Sequence, residues 1–181
     1  MPKNRPFSTG ERWGRRPIDW RQLLRRAAQG VLLVLILVPG VSGQNGEPAQ
    51  GQVVLAYDDG IPTLTLRFLE NAGTVFAVRF TPPEGQVQLT EVRYFVPDTS
   101  EGATFTLRVT SESSGEPGAT LLGPLSLRAR QTGWNAVSLS EHELMLQGDF
   151  FVLLEYDGSS RLALGAENRA PLSNRTYDTD C

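Results

Sequence analysis

The sequence predicts an all-β protein: a two-sheet, antiparallel, jelly-roll-like β-sandwich of about eight to ten strands, preceded by an N-terminal signal peptide. Three observations predict this fold. Short apolar runs recur about every 10 to 15 residues, and turn-forming residues separate them. Several runs alternate apolar and polar residues, which is typical of half-buried strands. No apolar period of 3.6 residues persists after residue 43, so we expect no helix in that part of the chain.

The first element, residues 1–43, has the three-part layout of a secretory signal with an extended basic lead. Arg25 and Arg26 precede an apolar run at residues 31–38, and Pro39 ends it. Small residues before Gln44 suit cleavage after Gly43. The run is shorter than the roughly 20 residues that a bilayer span requires. We therefore expect no stable transmembrane span after cleavage, with an uncleaved anchor left as the alternative.

The charge is divided unevenly between this leader and the rest of the chain. Residues 1–43 contain eight of the 17 basic and two of the 20 acidic residues, so residues 44–181 carry a net charge of −9. A surface of this sign repels phosphate, and we expect no nucleic acid partner. It is compatible with cations and neutral glycans, and it favours solubility.

Residues 44–51 are rich in Gly, Gln and Pro and predict a linker, and residues 52–181 predict the sandwich. Residues 104–110 alternate strictly, and residues 150–156 are apolar on both faces, which predicts a central strand. Residues 111–119 predict an unstructured loop, and the tail predicts an edge strand. The predicted strands are residues 53–57, 63–69, 74–81, 86–96, 104–110, 121–130, 134–140, 150–156, 162–164 and 174–178.

An ordered set of short motifs runs through nearly the whole of residues 57–177. The motifs are Tyr57-Asp58-Asp59-Gly60, Ala77-Val78-Arg79-Phe80-Thr81-Pro82, Pro117-Gly118 before Leu121-Leu122, Gly133-Trp134, Gly148-Asp149-Phe150-Phe151-Val152 through Glu155-Tyr156, Leu164-Gly165 and Arg175-Thr176-Tyr177.

In this order the motifs resemble a secreted bacterial β-sandwich accessory module that is appended to extracellular peptidases and other exported proteins. The resemblance implies an accessory, export-associated module, and it does not imply any activity. Glu167 departs from the pattern, which often has Asp after the Leu-Gly pair. The pattern also continues to a Trp, so the resemblance implies that a final strand is missing after Cys181.

A calcium ion is the sharpest metal hypothesis, because calcium prefers carboxylate and loop carbonyl oxygens. The candidate ligands lie in turns or near strand ends: Asp58, Asp59, Glu167 and Asp178. Turn formation by Asp-Gly is the competing interpretation of the first two, and the pattern favours it. No other cofactor is expected.

Exposed aromatic rings are the candidate glycan contacts, since a pyranose face stacks on an amphipathic ring. Trp134, Tyr94 and Tyr156 are the candidates, and for Trp134 packing in the core is the competing interpretation. Catalysis is not expected, because His142 is the single histidine and lies between two glutamates.

The sequence thus predicts a non-enzymatic, secreted, periplasmic or cell-surface module that binds a glycan or another cell-surface polymer. A structural domain that stabilises or delivers a partner or parent extracellular hydrolase is the alternative. A hydrolase with two catalytic carboxylates is the third hypothesis, since two acids that share one cleft would be sufficient.

Overall fold

The computed structural model describes residues 24–26, 30–31, 33–39, 53–56, 61–67, 73–97, 102–156, 158, 163–167 and 175–179. Within these ranges the chain forms fourteen β-strands, one 3-10 helix at Ser140–His142 and no α-helix. The strands in chain order are β1 Leu24–Arg26, β2 Gly30–Val31, β3 Leu33–Pro39, β4 Val53–Ala56, β5 Leu64–Arg67, β6 Val75–Phe80, β7 Val87–Val96, β8 Thr104–Ser113, β9 Glu116–Arg128, β10 Gly133–Ser138, β11 Met145–Leu146, β12 Phe150–Tyr156, β13 Ala163–Glu167 and β14 Thr176–Thr179. The predicted all-β class is confirmed.

The larger sheet has six strands in the order β1-β14-β6-β12-β8-β9, and each neighbouring pair is antiparallel. As predicted, β12 is central, paired with β6 on one side and with β8 on the other. Phe150 and Val152 belong to the main core, whereas Phe151 and Leu153 lie in a second buried cluster. The alternation of β12 across the sheet explains why both of its faces are apolar.

The hairpin of β8 and β9 corrects the prediction of an unstructured loop at residues 111–119. β8 continues to Ser113 and β9 begins at Glu116. Ser114 (φ 57°) and Gly115 (φ 86°) form the connection in left-handed backbone conformations, which suit a tight hairpin turn. The composition of this segment resembles that of a loop, although its polar residues lie on an exposed hairpin.

The second sheet has five strands: β10-β7-β3-β4 in order, with β11 also paired to β7. Its inner face presents β7 residues such as Leu89, Val92 and Tyr94 to the larger sheet. Alternate residues of the predicted strand 134–140 face the core, because Asn135 and Leu139 are buried and Val137 packs against the core. The chain passes repeatedly between the two sheets, as in jelly-roll folds.

A third sheet departs from the predicted two-sheet architecture. It has three strands in the order β2-β13-β5. Leu164 of β13 is fully buried in the main core, so this small sheet closes part of the sandwich. Strands as short as these lack the long alternation that marks a sheet in a sequence.

Residues of the predicted signal segment also form strands. β1, β2 and β3 lie within residues 24–39, and β1 pairs with β14, so the expectation that β14 is an edge strand is wrong. A short run of Val, Leu and Ile fits a buried strand as well as the apolar part of an export signal. No helix in the described ranges is long and apolar enough to span a bilayer. Export and cleavage stay predictions.

Aromatic rings fill much of the main core. Phe80 and Phe150 stack with ring centroids 5.8 Å apart, and Tyr94 meets Phe105 edge to face at 5.0 Å. Tyr94 and Tyr156 are only 2% and 6% exposed. The sequence-based interpretation of these two tyrosines as surface stacking rings is therefore corrected, because their strands turn both side chains inward.

Candidate functional site

The sandwich opens into a cleft beside β9 and β10, which are the outermost strands of their sheets among the described residues. Its volume is about 810 Å³, which is in the range of small-molecule and saccharide sites. Residues 129–132 connect the two strands at one end of the cleft. The lining residues are Glu91, Tyr94, Ser126, Leu127, Arg128, Arg130, Gln131, Trp134, Asn135, Ala136, Val137 and Ser138.

Asn135 fixes the shape of this connection. Its Oδ1 accepts hydrogen bonds from the backbone N–H groups of Arg130 (2.9 Å) and Gln131 (3.3 Å). Its Nδ2 donates to the carbonyl oxygens of Gln131 (2.7 Å) and Gly133 (3.0 Å). The buried amide thus uses two donors and two acceptor sites, which is the full capacity of an Asn side chain.

Trp134 is half-buried and lines the cleft next to this turn. It stands directly opposite Phe95 of β7, and the two rings meet edge to face with centroids 5.7 Å apart and an interplanar angle of 89°. Gln131 Nε2 donates to the Trp134 carbonyl oxygen at 2.9 Å. The contact with Phe95 positions the indole, whereas the hydrogen bond from Gln131 holds the backbone of Trp134.

Phe95 is supported from behind by the third sheet. An added Cβ on Gly165 would lie 2.7 Å from Cδ1 of Phe95 and 3.0 Å from Cβ of Pro62. No side chain larger than hydrogen therefore fits at residue 165 without moving Phe95. The Leu164-Gly165 motif thus has a packing role: its leucine enters the core and its glycine lets β13 approach the ring that supports Trp134.

The cleft is locally basic in an otherwise acidic domain. Arg128 and Arg130 are exposed and line it, whereas the lining carboxylate Glu91 forms an ion pair with Arg93. At the floor, burial raises the pKa of the Tyr94 phenol, and the nearby positive charge of Arg130 partly opposes this rise. The phenol therefore stays neutral at physiological pH and is a hydrogen-bonding group.

Of the three predicted aromatic contacts, the structure brings Trp134 to the surface of the cleft. Tyr94 lies at its floor with a 2% exposed side chain, and Tyr156 belongs to the main core. Sequence reasoning missed Arg128, Arg130 and Gln131 as lining residues. Arg128 and Arg130 lie at the end of the predicted strand 121–130 and Gln131 directly follows it, just before the Gly-Trp pair, which was a usable signal.

The calcium hypothesis stays a prediction. Asp58 and Asp59 lie outside the described residues. Asp178 pairs with Phe76 in the six-stranded sheet, whereas Glu167 ends β13 in the third sheet and accepts a hydrogen bond from Thr63 Oγ1 at 3.1 Å. The described part of the chain contains no group of three or more His, Cys, Asp or Glu residues that could hold a metal.

Other charged motif residues hold strands together. Arg79 lies 3.8 Å from Asp149, Arg108 lies 3.4 Å from Glu155, and Arg175 Nη1 donates to Thr81 Oγ1 at 2.8 Å. These contacts join neighbouring strands of the six-stranded sheet or the segments that flank them. The motifs around Arg79, Asp149 and Arg175 therefore have structural roles in this sheet.

No protein-family model matches the chain, and no curated protein matches it. The chain is similar to the crystal structure of the cysteine protease and lectin-like domains of Cwp84, a surface layer associated protein of Clostridium difficile. The sequence identity is 15% and the TM-score is 0.45. The match covers 71% of this chain and 32% of that one. A likeness of this degree carries no inference about function.

Proposed function

We propose that the protein is an exported, non-enzymatic module that binds a carbohydrate polymer in the cleft between β9 and β10. The observation that carries this proposal is the position of Trp134, a half-buried residue of the cleft lining that lies among hydrogen-bonding residues. A pyranose ring has apolar faces and a polar rim, so it matches an aromatic surface flanked by donors and acceptors.

The rigidity of the site supports binding. Asn135 fixes the turn with four hydrogen bonds, and Phe95 supports the indole. A site that is already ordered loses little conformational entropy when a ligand arrives. Binding with modest affinity, repeated along a polymer, is sufficient for an accessory module.

The two arginines of the cleft lining favour one class of carbohydrate ligand. Arg128 and Arg130 are two exposed basic residues of the cleft lining, and guanidinium groups bind carboxylates with paired hydrogen bonds. We therefore propose that uronate-containing or otherwise anionic polymers bind more tightly than neutral ones. The acidic remainder of the domain repels such polymers elsewhere, so attraction is confined to the cleft.

The test is retention of the full chain on a panel of insoluble neutral and acidic polysaccharides, with and without a calcium chelator. We expect retention on acidic polymers, and loss of about tenfold or more in affinity for Trp134→Ala, as for other stacking contacts. Leu121→Ala is the matched control, because Leu121 is exposed and lies outside the cleft lining.

Three other outcomes would contradict the proposed site or favour another hypothesis. Equal retention of Trp134→Ala and the parent chain would contradict the site. Release by chelator alone would shift the site to the carboxylates of the calcium hypothesis. Liberation of soluble reducing sugar during incubation would instead support the hydrolase that uses two carboxylates.

A structural role toward a partner or parent hydrolase is the second candidate. β4 is the outermost described strand of the five-stranded sheet, and its Val54 is 57% exposed. An open strand edge with an exposed apolar residue can pair with a strand of another chain. If the protein has this structural role, we expect Val54→Lys to abolish binding to the partner and to leave polysaccharide retention unchanged.

A further inference from the structure

In the five-stranded sheet, the position between β7 and β4 is filled by β3, a strand that the sequence analysis assigns to the export signal. β3 pairs antiparallel with β7 on one side and with β4 on the other. Among the described pairings, β4 joins the sheet through β3 alone. Removal of β3 therefore leaves β7 unpaired along one edge and separates β4 from the sheet.

The register shows what this place accepts. Leu33, Leu35 and Leu37 stand opposite Tyr94, Val92 and Leu89, which are buried core residues of β7. Leu35 itself is 0% exposed. On the other side, positions 35 and 37 stand opposite Leu55 and Val53, which pack against the core.

The pairing fits one kind of occupant. Leu35 is buried in the main core, so its position requires an apolar residue, and the strand must run antiparallel to both neighbours. About seven extended residues fill the place, as Leu33–Pro39 does. An unfilled place of this kind exposes both backbone hydrogen-bonding groups and core side chains, and both losses are costly.

We propose that the place between β7 and β4 is a strand-acceptor site, and that its occupant is the chain's own segment Leu33–Pro39. The apolar run then has two roles, as the hydrophobic part of an export signal and as a strand of the folded domain. A chain cut after Gly43 keeps this segment bound non-covalently, or its sheet stays incomplete. This inference does not depend on carbohydrate binding.

The first experiment uses the full chain with a specific protease site introduced within residues 44–51. After cleavage, we expect the N-terminal fragment to co-elute with the remainder in gel filtration, and the thermal midpoint to stay close to that of the uncut chain. Release of the fragment together with an unchanged midpoint would overturn the proposal, because the domain would then be complete without β3.

The second experiment separates a core strand from a passive leader without cutting the chain. Leu35→Asp buries an unpaired carboxylate, so we expect the thermal midpoint to fall by about 8 °C or more. Val54→Asp on the neighbouring strand is the matched control, since Val54 is 57% exposed, and we expect a shift of about 2 °C or less. Equal midpoints for the two variants would overturn the proposal.

A third measurement identifies the occupant. When the cut chain is mixed with an excess of residues 30–40 fused to a soluble carrier, we expect exchange of the bound fragment. The same fusion carrying Leu35→Asp should not exchange. Equal exchange of both fusions would contradict recognition by register. These readouts are stability and association, so a failure here is distinct from a failure to bind polysaccharide.

Discussion

At the scale of single residues, the proposed site depends on two adjacent residues that have different roles. Trp134 offers a ring surface, and Asn135 holds the turn that places it. The sequence predicted Trp134 as a ligand contact because it begins a strand at a loop. It could not predict the four hydrogen bonds of Asn135, because they depend on the path of residues 130–133.

Asn135→Ala should lower the free energy of unfolding by about 1–3 kcal/mol, since backbone groups of the turn lose their partners. Weaker polysaccharide binding should accompany this loss, because the turn beside Trp134 relaxes. Asn135→Asp is the informative control: it keeps the two acceptor contacts and loses the two donated ones. Denaturant unfolding of both variants measures the effect, and wild-type stability in Asn135→Ala would refute this role.

Tyr94 makes the stability of the fold depend on pH in the alkaline range. Its pKa is raised above the ordinary 10.0 by burial, with a smaller opposing effect of Arg130. Below pH 10 the phenol is protonated in both states, so its contribution to stability is fully present. As pH rises from 10.0 toward the raised folded pKa, the unfolded chain loses its proton first, so stability falls.

Urea unfolding between about pH 8 and pH 11 measures this loss. We expect Tyr94→Phe to remove part of the fall above pH 10 and to leave the curve below it nearly level with that of the parent chain. If the free energy of unfolding falls with pH equally steeply above pH 10 in both proteins, the pKa of Tyr94 is the same in the folded and unfolded states.

At the scale of strands, the sequence was most informative where one pattern has one structural explanation. Strict alternation in residues 104–110 predicted β8, and apolarity on both faces predicted the central place of β12. It was least informative where two structures share a pattern. Residues 111–119 have a loop-like composition yet form a hairpin, and residues 33–39 fit both an export signal and a buried strand.

Gly165→Ala tests how the third sheet supports the cleft. The new Cβ would lie 2.7 Å from Cδ1 of Phe95, so the ring must move, at a cost of about 1–3 kcal/mol. Because Phe95 contacts Trp134, we expect polysaccharide affinity to fall as well. Gly118→Ala is the matched control, because its Cβ would meet Ser111 Oγ at the same distance but on the β8–β9 hairpin. Equal effects of the two variants on affinity would contradict the coupling.

At the scale of the whole molecule, the structure gives packing or pairing roles to several of the motifs that resemble an accessory module. Several of them join neighbouring strands of the six-stranded sheet, and Leu164-Gly165 packs the third sheet against the main core and Phe95. The sequence could not predict the cleft itself. Arg128 and Arg130 look like ordinary exposed residues of an edge strand until the second sheet is placed beside them.

The charge distribution adds a prediction about ionic strength. The arginines lie in the lining of an open cleft, so their attraction to an anionic polymer is screened by salt. We expect retention on acidic polysaccharides to weaken several-fold between about 0.05 and 0.5 M NaCl, and retention on neutral ones to change little. Equal salt dependence on both kinds of polymer would argue against a role for the arginines.

The most direct test follows Trp134 itself during binding. The chain has three tryptophans, and the variant with Trp13→Phe and Trp20→Phe leaves Trp134 as the single indole emitter. Titration with a soluble acidic oligosaccharide should shift its emission to shorter wavelengths and saturate, because a stacked sugar excludes water from the ring. An unchanged spectrum under conditions in which the full chain is retained on the polymer would place binding elsewhere and contradict the proposed site.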